Sequence, residues 1–106
     1  MIQTYDKLVR DRVPELIRQS GATPHVLKLN REEYRKRLRQ KLEEELREYL
    51  ESGRAEELAD LYEVMRACAA EDGKTWDDIE ELRRQKARQR GGFSQQLLLM
   101  SVEDHT

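Results

Sequence analysis

Apolar residues recur along this chain with the spacing of helices. Tyr34, Leu38, Leu42, Leu46 and Tyr49 follow at three- and four-residue steps. Leu58, Leu61, Val64, Met65 and Cys68 repeat the pattern, and Ile79 and Leu82 begin a third stripe. Such spacing places each set on one side of a helix with about 3.6 residues per turn. The helix breakers agree. Pro14 suits a first helical turn, where its missing N–H costs nothing, so Leu16 and Ile17 face inward and Gly21 ends a short helix. Pro24 keeps the chain out of helix. Asn30 is a good N-cap for a long second helix, with Glu33 placed to complete a capping box. Ser52-Gly53 interrupts that helix. A third runs from about Ala55 to Asp72 and ends at Gly73, and Thr75 with Asp78 caps a fourth that continues to about Arg90 before Gly91-Gly92. The expected fold is all-α: one domain, a small bundle of three substantial helices and a short first one. Residues 26–29 and 97–102 are apolar enough for short strands, which would pair as a β-ribbon.

Composition supports helices and narrows the partners. Charged residues make up 40% of 106, with only five glycines and two prolines, a mix that suits helices better than a sandwich or barrel. The balance of 20 basic and 22 acidic residues lacks the basic excess of a small nucleic-acid-binding module. A chain this short and charged buries a limited core, so an apolar face left over would favour a homodimer. Cys68 is the sole cysteine, which excludes an internal disulfide and suits plain packing. No apolar run approaches the ~18–20 residues that span a bilayer, and the first residues lack a signal core. A cytoplasmic protein with no membrane or nucleic-acid polymer as partner is expected.

Carboxylates change the picture. On a helical wheel, Glu44, Glu45 and Glu48 share one side of the second helix, and Glu45 borders the apolar sector most closely. On the third helix, Glu57 falls within the arc of Leu61, Val64 and Cys68, and Asp60 lies at its edge, with Glu63 near enough to assist. A lone carboxylate in an apolar stripe is costly or becomes protonated, and a bound cation removes that penalty. Two helices presenting hard oxygen ligands to a shared interior suit Mg²⁺ or Mn²⁺. In a chain this rich in glutamate, solvated surface carboxylates explain the same pattern as well.

Cations sit on related faces. The inner stripe of the fourth helix continues from Leu82 into Arg83, Lys86 and Arg90. These residues either complement the helix dipole or contact phosphate. Lys41 beside Glu44 poses the same choice, and Arg10 either reaches a phosphate or pairs with Asp11. Trp76 reads first as a packing anchor, Phe93 as an anchor or a base contact, and His25 and His105 have no partner pattern.

Together these residues resemble the MazG-like all-α nucleotide pyrophosphohydrolase superfamily, whose hallmark is EExxE followed by ExxD. Here the segments are Glu44-Glu45-Leu46-Arg47-Glu48 and Glu57-Leu58-Ala59-Asp60. The chain is most similar to short stand-alone, phosphoribosyl-ATP pyrophosphohydrolase-like members with the pattern KLVRDxIP, KLxEExxE, EELADxxEV and KxxxRGGF. Lys7–Pro14, Lys41–Glu48, Glu56–Val64 and Lys86–Phe93 match it in order. The eight residues between Glu48 and Glu57 are fewer than is usual there, which leaves less room for base-contacting elements.

The resemblance implies Mg²⁺, or Mn²⁺, held by Glu44, Glu45, Glu48 and Asp60, with Glu45 catalytic and Glu57 as ligand or base. Arg10, Lys41, Lys86 and Arg90 would bind the substrate's phosphates. An activated water would attack the α–β anhydride of a nucleoside triphosphate, giving the monophosphate and pyrophosphate, in nucleotide-pool housekeeping by a homodimer or tetramer. Two alternatives stand beside it: phosphoribosyl-ATP hydrolysis in histidine synthesis, and a non-enzymatic helical interaction module.

Overall fold

The computed structural model describes residues 1–105. It contains four helices: α1 (Val13–Gln19), α2 (Arg31–Ser52), α3 (Ala55–Glu71) and α4 (Trp76–Arg90). The fold is all-α, as the periodicity predicts. There is no strand among the described residues, so the β-ribbon expected from residues 26–29 and 97–102 is corrected to irregular chain. The physical reason lies in the pattern. Leu97, Leu98, Leu99 and Met100 form an unbroken apolar run with no polar alternation, all 79–84% exposed, and an isolated two-stranded ribbon is marginal in water.

α2 and α3 form the centre of the molecule as an antiparallel hairpin. Gly53 makes the turn. Its backbone is left-handed, with φ of 66°, and its N–H donates to the carbonyl of Tyr49. At the far end, Arg31 at the start of α2 pairs with Glu71 at the end of α3 (2.8 Å), and Arg35 pairs with Asp72 (3.2 Å). The capping expectations hold with one change. Asn30 accepts from the Glu33 N–H and Thr75 with Asp78 forms the complete reciprocal box. The Glu33 carboxylate, however, accepts from Arg37 Nε at 3.0 Å, because a guanidinium one turn along is the stronger donor.

α4 packs on α3 alone and does not approach α2. Trp76 anchors it, with its ring centroid 5.0 Å from that of Tyr62. Beyond this anchor, α4 loses its cover: Leu82 is 52% exposed. Leu16, expected inside, is likewise open. The molecule measures 68 × 32 × 21 Å, and among the described residues only Leu38, Ala69 and Glu45 are buried, each 4–7% exposed. No helix among the described residues is long and apolar enough to cross a membrane.

Candidate metal centre

The hairpin brings the carboxylates of its two helices together. Glu44, Glu45 and Glu48 of α2 each offer an oxygen within 4.8 Å of the others. Glu45 offers one in the same way to Glu57 and Asp60 of α3. Glu45 therefore belongs to both groups and joins them. The five residues named from the EExxE and ExxD segments thus form two groups around one shared side chain. Glu63 does not join them and is exposed.

Glu45 is the unusual member. It is 5% exposed, the one buried charged residue among the described residues. Lys41 Nζ lies 3.3 Å from its Oε1, but its Oε2 is buried with no hydrogen-bond partner. Burial raises its pKa most; Lys41 pulls it down, and the Glu48 carboxylate beside it pushes it up. A buried carboxylate oxygen without a donor is costly. A divalent cation among these oxygens would remove that cost, and an all-carboxylate donor set suits a hard ion. The orphaned oxygen and the donor chemistry both fit the group that the sequence pattern implies.

The cations distribute differently from expectation. Arg10 pairs with neither Asp11 nor a free phosphate position: its guanidinium donates to Asp60 Oδ1 at 2.7 Å. Lys41 lies 3.6 Å from Glu44 as well as touching Glu45. Lys86 and Arg90 are exposed on α4, which packs on α3 and not on α2, and neither belongs to the carboxylate groups or pairs with them. Arg83 is held by Glu80 at 2.7 Å. Its place on the expected inner stripe is corrected to a surface pair one turn long.

Sequence reasoning left Lys7 without a role. Its Nζ lies 3.8 Å from Glu44 Oε1. It reaches there because Arg37 donates to both the carbonyl and the carboxylate of Asp6, at 3.1 and 3.2 Å. Asp6 sits at φ of 47°, where a short polar side chain is tolerated. The signal for this tether was the Lys7–Pro14 segment itself, too irregular for any periodicity to place.

The comparisons with known proteins add one partial likeness. No family model matches the chain, and no solved structure matches it. Over 42 residues it is 55% identical to a protein of Mycolicibacterium smegmatis described only as uncharacterized. That stretch covers 40% of this chain and 43% of that protein, so the likeness spans less than half of either.

Cys68 and Trp76 take no part in the centre. Cys68 is half-buried in α3, and burial, more than the nearby Asp72, raises its thiol pKa and keeps it protonated.

Proposed function

We propose that this chain is a Mg²⁺-dependent nucleoside triphosphate pyrophosphohydrolase, able to use Mn²⁺, that acts as a cytoplasmic homodimer of the MazG-like kind. The observation that carries the proposal is Glu45. A buried carboxylate with an unpartnered oxygen joins two acidic groups from two helices. The sequence resemblance assigns ion ligation to those same positions.

Glu44, Glu45, Glu48 and Asp60 would hold the ion, with Glu57 as a further ligand or as the base. Bound there, a divalent ion offsets substrate charge and lowers the pKa of the attacking water. The chain's own residues do the rest. As the base, Glu57, half-buried in the wall of the site, would take the proton as water oxygen bonds to phosphorus and the α–β bridging bond breaks. The products are a nucleoside monophosphate and pyrophosphate. Arg10 and Lys41, already within reach of the carboxylates, counter the charge that grows on the leaving group.

Pyrophosphate release, measured with Mg²⁺ across ordinary, deoxy and damaged nucleoside triphosphates and phosphoribosyl-ATP, tests this reading. Release from triphosphates that stops with EDTA supports it. Release from phosphoribosyl-ATP alone moves the protein into histidine synthesis. Silence across the panel from folded protein leaves the interaction-module reading in its place.

A further inference from the structure

A small cleft of about 160 Å³ lies between the N-terminal segment and α2. Asp6, Lys7, Leu8, Arg37, Gln40, Lys41 and Glu44 line it, with the Asp6 carboxylate held by Arg37 and Glu44 belonging also to the acidic group of α2. Its volume is below the ~300–1,000 Å³ of pockets that enclose drug-sized ligands. It suits a phosphate end and not a whole nucleotide. Two ammonium groups point at a single carboxylate there. Lys7 approaches Glu44 Oε1 and Lys41 approaches Oε2 (3.8 and 3.6 Å). Arg37 is not free to bind a ligand, since Glu33 and Asp6 occupy it. Its part is to hold the segment that carries Lys7.

We propose that this cleft is the pyrophosphate subsite, with Lys7 and Lys41 as its cations and Glu44 as the residue shared between cleft and metal centre. The inference rests on the reading under Proposed function and gives that reaction a place for its leaving group. The shared carboxylate is the reason. Without a divalent ion, Glu44 is neutralised by the two lysines. When Glu44 and Glu45, the two carboxylates that Lys41 touches, ligate an ion, their charge is offset from the other side and both ammonium groups become available. They sit beside the ion's ligands, where the leaving phosphates of a metal-bound substrate emerge. Of the other cations, Arg10 is paired with Asp60 on α3 and does not line the cleft, and Lys86 and Arg90 lie on a helix that does not approach α2.

The test is calorimetric titration of the full chain with inorganic pyrophosphate, in the presence and absence of Mg²⁺, on the native protein and on Lys7→Gln. Lys7 is about half exposed, so its loss leaves the fold intact, and Lys36→Gln on the exposed part of α2 serves as the charge-matched control. The expected result is pyrophosphate binding that requires Mg²⁺ and weakens about tenfold or more in Lys7→Gln, the scale of one lost charge-assisted contact. Affinity for Mg²⁺ alone stays equal or rises in that variant, because a competing cation has left Glu44. Unchanged pyrophosphate affinity in Lys7→Gln overturns the proposal, most directly if Lys86→Gln loses binding instead. If the native protein binds no Mg²⁺, the metal reading fails by itself. Pyrophosphate binding that still depends on Lys7 then preserves the cleft, and no pyrophosphate binding overturns it too.

Discussion

Glu45 concentrates the electrostatic cost of this fold in one side chain, 5% exposed with one oxygen unpartnered. Its folded-state pKa is raised, chiefly by burial. The sign of the linkage follows: a carboxylate that is harder to ionise when folded binds more protons in the native state. Its contribution to stability is best below the ordinary glutamate pKa of about 4.3 and is lost as pH rises through the raised folded value. Asp78 and Glu80 act oppositely. The Thr75 cap and Arg83 respectively lower their pKa values, so their help is present at neutral pH and lost in acid. Comparing Glu45→Gln with the native chain isolates the first effect. In EDTA, the variant should match or exceed the native melting temperature near pH 7, and its advantage should shrink as the pH falls towards about 4. Mg²⁺ should raise the native melting temperature and leave the variant's unchanged. Glu45→Gln and Asp60→Asn should each abolish pyrophosphate release while far-ultraviolet circular dichroism stays helical. Full activity in both variants would sink the site assignment.

At the scale of elements, the termini of helices were readable because capping is local. Asn30 and Thr75 each accept from the backbone N–H three residues on, and both were identifiable from residue type and spacing. Thr75→Ala should therefore cost about 0.5–2 kcal/mol, read from chemical denaturation. α4 would feel this loss strongly, because it is 15 residues long and touches only α3, and helices of that length are marginal alone. The strands failed for a complementary reason. A strand needs a neighbour to take its backbone hydrogen bonds, and the apolar character of 97–102 says nothing about whether one is present. The irregular segment 1–12 was the least readable part, since a tether made by Arg37 and Asp6 across 31 positions has no periodic trace.

For the whole molecule, the small interior sets the expectations. Among the apolar side chains of the described residues only Leu38 and Ala69 are buried, while Leu46, Leu50, Leu58 and Met65 on the hairpin are 41–73% exposed. A chain that covers so little of its apolar surface has reason to associate with another copy. Sedimentation at micromolar concentration should report a homodimer or larger assembly, with a melting temperature that rises with protein concentration. A monomer with a concentration-independent transition would remove the dimer from the proposal. Leu38→Ala, in so thin a core, should cost about 2–5 kcal/mol by denaturant melts.

The all-α class and the helix limits were determined by the sequence, because each rests on contacts between residues a few positions apart, whereas the five carboxylates were singled out by the resemblance of their motifs. A helical wheel needs only the rise and turn of one helix to put Glu44, Glu45 and Glu48 together. It also puts Glu57 within an apolar stripe and Asp60 at its edge. Only the tertiary structure decided how deep each of them lies and which cation each one meets. Glu45 is enclosed by the antiparallel docking of α3, which no single-helix pattern contains. Arg10 found Asp60, and Lys7 found Glu44, across 50 and 37 positions of chain, while Lys86 and Arg90 were left outside. Burial and long-range ion pairs depend on how helices pack. Packing is a property of several elements at once, whereas periodicity describes one element at a time.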